Sequence, residues 1–321
     1  MPRTLIAIVN YRTPRQTCDC LTSLFAENPT RSDFRVTVVD NGSNDGSAAH
    51  IDRFIREHGW GDWIEFIPSD KNGGFAAGNN VALEPALRGP NPPELYLLLN
   101  PDTIVRPGAI AALVAFLDTH PRAGMAGSRL EDPDGLPQRS AFRFPGILSE
   151  LERSMRFGLC SRLLSRFLVA PPVRTEDHTT DWLAGASVLV RRQVFEQIGL
   201  LDAQYFLYYE ELDFCLRTVR AGWECWYVPQ SRVIHLVGQA TGMKGGRTER
   251  RRMPSYMFES RKRYFEKSHG WLYARLADVA WLSGHLLWRA RRFVQRKPDD
   301  DPPQLIRDFC RHNFLPSRKV T

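Results

Sequence analysis

Cysteines are few in this sequence, and none of them has the paired spacing of a zinc site. The 321 residues contain six cysteines, which are scattered along the chain. They are Cys18, Cys20, Cys160, Cys215, Cys225 and Cys310. We therefore expect reduced thiols in a cytoplasmic compartment rather than a disulfide framework. The opening residues, Met1-Pro-Arg-Thr, lead directly into an apolar strand-like segment, so we also expect no signal peptide.

A hydrophobic run long enough to cross a bilayer is missing from the C-terminal region, where the longest uncharged stretch is 279–288. Apolar residues from Trp271 to Val294 instead recur at helical spacing, which predicts an amphipathic helix. The apolar stripe is Leu272, Leu276, Val279, Leu282, Leu286, Ala290 and Phe293, and the adjacent polar stripe is Arg275, Asp278, His285, Arg289 and Arg292. Such a helix suits the membrane interface and, equally, packing against the protein's own core.

Acidic residues are scarce at the C-terminal end. Residues 244–321 contain 19 Lys/Arg and 8 Asp/Glu, a net charge of +11, whereas the remainder has a net charge of −4 and the whole chain +7. A basic tail of this kind suits nucleic acid or an anionic membrane surface, and a merely solvated surface has the same composition. The 43% hydrophobic and 25% charged content is that of an ordinary globular protein with a sizeable core.

Apolar segments alternate with helical patterns over the first 120 residues. Strands are expected at Thr4–Asn10, 35–40, 63–67 and Leu95–Leu99, with helices at 13–25, 48–58 and 108–120 and another that ends near 87. This alternation predicts a mostly parallel sheet wound by helices. Residues 140–180 are less regular. After them we expect a strand at 182–190, helices at 192–198 and 208–221, and short strands at 225–228 and 233–236.

Carboxylates follow two of the expected strands directly. Asp102 comes after Leu95–Leu99 and Asn100-Pro101, and Asp40 comes after the apolar residues 36–39. Ligands of open α/β sheets bind at the carboxyl ends of strands, and a carboxylate there can hold a hard divalent cation. An Asx-Pro turn at Asp102 and a helix cap or loop at Asp40 are the structural alternatives.

The segment Lys71-Asn-Gly-Gly-Phe-Ala-Ala-Gly-Asn-Asn80 contains three glycines after a strand. Gly73, Gly74 and Gly78 would let the backbone approach a ligand closely. The segment lacks the Gly-Lys-Ser/Thr ending of a P-loop and the glycine spacing of the Rossmann fingerprint. Taken alone it is a weak sign of a binding loop.

Three carboxylates occur within four positions of the helix expected at 208–221. Glu210, Asp213 and Arg217 share one helical face, and Asp213 with Arg217 has the spacing of an ion pair. Glu211 points about 100° away from Glu210 and has no obvious partner, so a desolvated Glu211 could act as a base. His235 ends a short strand, where a histidine is either structural or a metal ligand.

Seven segments in order resemble family 2 glycosyltransferases of the GT-A fold, from about Leu5 to Gly242. They are Val9-Asn-Tyr11, Val38-Val-Asp-Asn-Gly-Ser-Asn-Asp-Gly-Ser47, Asn72-Gly-Gly-Phe-Ala-Ala-Gly-Asn-Asn80, Leu98-Leu-Asn-Pro-Asp102, Gly185-Ala-Ser187, Tyr209-Glu-Glu-Leu-Asp-Phe-Cys-Leu-Arg217 and His235. The resemblance implies an α/β fold with a Rossmann-like nucleotide half at 1–128 and an acceptor half at 129–243. It leaves 244–321 as a basic helical extension.

The resemblance also implies roles for single residues. Glu211 matches the catalytic base, and Asp102 with His235 matches a site for Mg²⁺ or Mn²⁺. The nucleotide-sugar is expected to lie beside Val9, Asn10, Asp40, Asn72, Gly73, Asn100 and Asp102. Acceptor-site or supporting roles fall to Trp182, Gly185, Glu210, Asp213 and Arg217.

Two residues depart from the family's usual pattern. Asn100 replaces the first acid of the Asp-x-Asp motif, which leaves one carboxylate of that motif for the metal. Glu211 replaces the more usual aspartate and adds one methylene to the base.

The Asn-Pro-Asp form and the basic C-terminal end resemble bacterial rhamnosyltransferases. The implied reaction is the inverting transfer of a sugar, L-rhamnose from dTDP-rhamnose, to a saccharide or polyprenyl-linked acceptor in cell-surface polysaccharide synthesis. A UDP-sugar donor and a non-catalytic nucleotide-sugar-binding protein are the alternatives. We expect a location at the inner face of the cytoplasmic membrane, contact with an anionic membrane surface through 244–297, and no nucleic-acid partner.

Overall fold

The first four strands form from the apolar segments that the sequence predicts. In the computed structural model, which describes residues 2–28, 30, 32–236 and 251–315, they are β1 (Thr4–Asn10), β2 (Phe34–Asn41), β3 (Ile64–Ser69) and β4 (Leu95–Leu99). They pair in parallel in the order β3-β2-β1-β4. Every residue of β1 and β4 is buried, which explains why both strands are continuous apolar runs rather than alternating patterns.

Helices connect these strands close to the predicted positions. They are α1 (Pro14–Glu27), α2 (Ser47–Glu57), α3 (Gly74–Arg88) and α4 (Ala109–Thr119). Pro14 occupies the first turn of α1, where its missing N–H breaks no intrahelical hydrogen bond. The predicted and observed helix ends differ by one or two residues, which is the usual uncertainty of helix boundaries.

Further strands extend the sheet beyond β4. These are β5 (Thr103–Val105), β6 (Ala123–Glu131), β8 (His178–Thr180), β10 (Ser187–Arg191) and β11 (Glu224–His235), while β7 (Ala141–Phe142) pairs with β9 (Trp182–Leu183) in a small second sheet. Within the described residues the main sheet has nine strands in the order β3-β2-β1-β4-β10-β6-β11-β5, with β8 beside β11. Only β5, β8 and β10 run against the others, so the sheet is mixed and mostly parallel.

Three of the strand predictions were wrong in detail. The segment expected as one strand at 182–190 is divided into β9 and β10 by a turn that contains Gly185. The two short strands expected at 225–228 and 233–236 are one strand, β11, interrupted by a bulge between Val228 and Arg232. Pro229 lies in that bulge and has no N–H to donate, which explains why the pairing shifts there.

The chain divides into two units. The first contains the sheet and comprises Met1–Phe142, Pro172–Phe206 and Glu210–Lys244, and the second comprises Arg143–Pro171, Leu207–Tyr209 and Gly245–Thr321. Helices α7 (Arg192–Ile198) and α8 (Glu210–Arg220) belong to the first unit. The predicted boundaries after residues 128 and 243 remain predictions, and the second of them lies outside the described residues.

The second unit is helical. It contains α5 (Ile147–Met155), α6 (Gly158–Leu163), α9 (Ser255–His269), α10 (Trp271–Val294) and α11 (Leu305–Phe314). The bounds of α10 confirm the amphipathic helix predicted from the sequence. Helix α5 packs against α10 at Gly284, where a Cβ atom would lie 2.7 Å from the carbonyl oxygen of Leu151. Among the described helices, none combines the length and the apolar character that a bilayer span requires.

Candidate active site

A buried polar network lies where β1 and β2 end. The Asn10 amide donates to Asp40 Oδ1 at 2.6 Å, and the Ser43 hydroxyl donates to the same oxygen at 2.6 Å. The backbone N–H of Ser43 donates to Asp40 Oδ2 at 3.2 Å. Asn10 Oδ1 in turn accepts from the hydroxyls of Thr13 and Thr17 at the start of α1. Both Asp40 oxygens therefore bond within the protein and shape the loop after β2. The expected contact of Asp40 with the nucleotide remains a prediction.

The glycine-rich loop before α3 is held by Asn41, the last residue of β2. The Asn41 amide donates to Asn72 Oδ1 and to the carbonyl of Gly74, both at 3.0 Å, and its oxygen accepts from the Gly73 N–H at 3.2 Å. Gly74 has φ +86°, and a Cβ atom there would lie 1.9 Å from the carbonyl oxygen of Phe206. This loop therefore needs glycine at 74 for both reasons, backbone conformation and space.

Helix α3 approaches the end of β1 very closely. A Cβ atom at Gly78 would lie 2.6 Å from Cγ1 of Val9, so the glycine allows the helix to pack onto that strand. Val9 is thereby engaged in packing rather than turned toward open space. The arrangement brings the start of α3 beside the polar network at the ends of β1 and β2.

Asp102 and His235, which are 133 positions apart in the sequence, lie side by side. Strand β5 follows Asp102 and pairs with β11 so that Thr103 lies opposite His235. His235 Nε2 is 3.5 Å from Asp102 Oδ1 and 3.4 Å from the amide nitrogen of Asn100. The backbone N–H of Leu236 also donates to the carbonyl of Asp102 at 2.9 Å, which fixes the two segments to each other.

The donor set around Asp102 fits a divalent cation only in part. Carboxylate and amide oxygens with an imidazole nitrogen are ligands that Mg²⁺ or Mn²⁺ accepts. Asn100 Oδ1 is buried and has no hydrogen-bond partner among the described residues, as expected of an oxygen that awaits a ligand. The described residues nevertheless contain no group of three His, Cys, Asp or Glu side chains suited to a metal, so a bound ligand would have to supply further oxygens.

Glu211 lies in the first turn of α8 with one carboxylate oxygen enclosed. Its Oε2 atom is buried and accepts no hydrogen bond from the part of the chain that the structure describes. Burial raises the pKa of the Glu211 carboxyl from an ordinary value of 4.5 to about 7, because desolvation disfavours the charged form. A carboxyl with a pKa near neutrality is well matched to general-base chemistry.

Gly185 connects Glu211 with the other segments. A Cβ atom at Gly185 would lie 3.4 Å from the ring of Phe75 and 3.6 Å from Cβ of Glu211. The next residue, Ala186, accepts a hydrogen bond from the Asn100 N–H at 2.9 Å. The start of α3, the turn before β10, the end of β4 and the start of α8 are therefore neighbours in the first unit.

The other predicted acceptor-site or supporting residues have mainly structural contacts. Asp213 accepts from Arg217 Nε at 2.9 Å, which is the expected ion pair, and Arg217 also donates to the carbonyls of Ile198 and Leu200. Trp182 stacks on Phe142 with the ring centroids 4.2 Å apart. Glu210, which precedes Glu211 in the sequence, is buried.

Sequence reasoning missed Asn41 and Ser43, which organise two of the loops. Both lie in the segment 38–47, which carries part of the family resemblance but in which only Asp40 was assigned a role. The available signal was the position of Asn41 directly after the predicted strand at 35–40.

The chain belongs to glycosyltransferase family 2. The sequence profile of the family described as "Glycosyltransferase like family 2" matches residues 2–263, which is most of the chain. The protein is therefore a glycosyltransferase, and the order of its strands and the position of the polar side chains at their ends fit that assignment.

Among curated proteins, the chain is similar to bacterial rhamnosyltransferases. It is 30% identical over 236 residues to the N-acetylglucosaminyl-diphospho-decaprenol L-rhamnosyltransferase of Mycobacterium tuberculosis, covering 68% of this chain and 71% of that protein. It is also 28% identical over 165 residues to the rhamnosyltransferase WbbL of Escherichia coli, covering 50% of this chain and 60% of that protein.

A solved structure shares the fold. The crystal structure of GalNAc-T7 with UDP, GalNAc and Mn²⁺ aligns with a TM-score of 0.60 and 16% identity, over 97% of this chain and 55% of that chain. At this identity the similarity establishes the fold alone, which is the predicted GT-A fold with its mixed, mostly parallel sheet.

Proposed function

We propose that the protein is an inverting glycosyltransferase in which Glu211 is the catalytic base. In this mechanism Glu211 takes the proton of an acceptor hydroxyl, whose oxygen attacks the anomeric carbon opposite the departing nucleoside diphosphate. The observation that carries the proposal is the buried Oε2 atom of Glu211, to which no described residue donates a hydrogen bond, in a chain of this family. General-base catalysis of this kind typically contributes about 10²–10⁴-fold to the rate.

The proposed donor site lies at the ends of β4 and β11. Asp102 and His235 would hold Mg²⁺ or Mn²⁺, and the unpartnered Asn100 Oδ1 would be available among the described residues as a further oxygen ligand. A cation bound there supplies charge neutralisation for the leaving diphosphate. Mn²⁺ accompanies UDP in the GalNAc-T7 structure, which supports a divalent metal in this fold. The replacement of one acid by Asn100 implies weaker metal binding than a full Asp-x-Asp motif would give.

The nucleotide itself is proposed to lie along the loops after β1, β2 and β3. Asn72 and Gly73 would adjoin it, while Asn10 and Asp40 would act by fixing the loop that it contacts, because their side-chain polar atoms already bond within the protein. Val9 would act through its packing against Gly78. We propose dTDP-rhamnose as the donor, on the strength of the rhamnosyltransferase relatives. A UDP-sugar is the alternative donor, and a non-catalytic nucleotide-sugar-binding protein is the alternative function.

The proposed acceptor is a saccharide or a polyprenyl-linked saccharide of cell-surface polysaccharide synthesis. The mycobacterial relative is named for an acceptor joined through a diphosphate to decaprenol, which supports a lipid-linked acceptor. Such an acceptor places the reaction at the inner face of the cytoplasmic membrane. An anionic membrane surface is accordingly a proposed partner of residues 244–297, of which the structure describes 251–297.

The release of nucleoside diphosphate from dTDP-rhamnose or a UDP-sugar tests this function. The purified full chain, with Mn²⁺ and a polyprenyl-diphosphate-linked N-acetylglucosamine acceptor, should release the diphosphate. Glu211→Gln should release it at least about 100-fold more slowly while keeping the thermal shift caused by the donor. Donor binding without any turnover in the wild type would favour the non-catalytic alternative, and normal turnover in Glu211→Gln would exclude Glu211 as the base.

A further inference from the structure

Helix α10 exposes an apolar stripe to solvent and buries polar side chains on its other side. Its outward face, defined here as Leu272, Leu276, Val279, Leu286, Leu287 and Phe293, is exposed, with exposed fractions from 49% to 82%. Within α10, which the structure describes completely, the exposed positions carry only two polar residues, Ser283 within the face and Arg289 at its edge. An ordinary surface helix would bury this stripe and expose its charges.

The buried polar residues of α10, Asp278 and His285, lie on the inward side, in contact with other segments of the second unit. Asp278 bonds Arg261 of α9, and Arg261 also donates to Glu150 of α5 at 2.8 Å. Nearer the end of α10, His285 Nε2 is 3.3 Å from Asp301 Oδ2, and both residues are buried. The apolar stripe cannot simply rotate inward, because that rotation would break a buried network of ion pairs and leave charges unpaired.

An exposed apolar face of this length indicates a partner. The helix has 24 residues and is therefore about 36 Å long, and the outward face extends along most of it. Contiguous apolar surfaces of this kind mark sites of protein or membrane interaction. The sequence left open whether the apolar stripe of α10 packs against the protein's own core. The outward face does not pack in this way, because its residues are exposed.

Charges at the edges of the face favour a lipid surface over a second copy of the chain. Arg289 is exposed beside the face, Arg291 lies on the other edge over the Phe157 ring, and Lys297 follows the helix end. The only acid of α10, Asp278, is buried, and the acids after the helix, Asp299 and Asp300, pair with Arg292 and Arg156, so the face itself carries no exposed acid. Two copies joined through this face would lack complementary charges at their edges, whereas anionic headgroups would match them.

We propose that the outward face of α10 inserts into the headgroup and acyl boundary of a bilayer, with its arginines at the headgroups. This proposal rests on the lipid-linked acceptor proposed above and specifies how the protein reaches it. The attachment depends on apolar insertion through α10, and the basic charge of the C-terminal region adds to it. Trp271, exposed at the start of the helix, has the amphipathic ring typical of membrane-interface anchors.

Flotation of the full chain with lipid vesicles tests the proposal. Vesicles of phosphatidylcholine alone and vesicles with added phosphatidylglycerol should both bind the protein, the second more tightly. The double variant Leu276→Gln with Leu287→Gln should lower the partition coefficient at least about ten-fold on both vesicles. Leu136→Gln, which makes the same change at a 63% exposed leucine of the first unit, should leave binding unchanged.

Other outcomes would overturn the proposal. Equal vesicle binding by the double variant and the wild type would show that α10 does not insert. If the wild type sediments as a dimer and does not bind vesicles, and the double variant sediments as a monomer, the face binds a second copy of the chain instead of a membrane. Donor hydrolysis in the absence of acceptor should be unaffected in the double variant, so failed membrane binding and failed glycosyl transfer are separately observable.

Discussion

Replacing Glu211 by glutamine should remove the part of the pH dependence of the unfolding free energy that comes from the Glu211 carboxyl. Burial raises the pKa of that carboxyl from 4.5 to about 7 in the folded protein. Between those values the folded state holds a proton that the unfolded state has released, so stability falls as the pH rises through this window. Each pKa unit corresponds to about 1.4 kcal/mol, which makes the full penalty about 3 kcal/mol above pH 7.

The comparison of wild type with Glu211→Gln isolates this penalty, because the other titrating groups contribute to both proteins. The variant should exceed the wild type in unfolding free energy by about 1 kcal/mol at pH 5 and by about 3 kcal/mol at pH 8. Urea unfolding at the two pH values measures the difference. Glu176→Gln, at an exposed glutamate of the same unit, should show no such change. A difference between wild type and Glu211→Gln that is the same at pH 5 and pH 8 would refute the desolvation argument.

Three further predictions concern the metal, the glycine-rich loop and the helical unit. Asn100→Asp should lower the Mn²⁺ concentration needed for half-maximal transfer, because it adds a carboxylate beside Asp102, and an unchanged metal requirement would count against the site. Gly74→Ala should destabilise the protein by several kcal/mol more than Gly46→Ala in urea unfolding, since both have φ near +90° but only the first meets a backbone oxygen. Gly284→Ala should lower the unfolding free energy by about 1–3 kcal/mol through overpacking against Leu151, whereas Gly158→Ala, in open space, should have little effect.

The sequence was sufficient for elements whose apolar pattern is strong. Strands β1 and β4 are continuous runs of large apolar residues, and α10 has a regular helical stripe, so their positions were predicted to the residue. Strand β6 was missed because its sequence, Ala123-Gly-Met-Ala-Gly-Ser-Arg-Leu-Glu131, has few large apolar side chains. Its small residues serve packing instead, since a Cβ atom at Gly127 would lie 2.6 Å from the Leu183 side chain.

Orientation and long-range contact were harder to derive than the elements themselves. The helical pattern of α10 could not reveal which stripe is buried, because that depends on charged partners such as Glu150 and Arg261 on other helices. The neighbourhood of Asp102 and His235 followed from the family resemblance, since no local spacing relates residues so far apart. The internal bonding of Asp40 was equally invisible, because it needs the positions of Asn10 and Ser43.

The bulge in β11 separates the part of the strand that carries His235 from the part before Val228. Along β6 the partners of Val228 and Arg232 are the consecutive residues Ser128 and Arg129, so three residues of β11 are accommodated without a partner in β6. Side chains alternate between the faces of a strand, so inserting or deleting one residue after Arg232 would turn His235 toward the opposite face. A length change within the three unpaired residues could be absorbed locally. The count of residues from Arg232 onward therefore has to stay constant for the histidine to meet Asp102, whereas the bulge at Pro229 is where a change of length would disturb the pairing with β6 least.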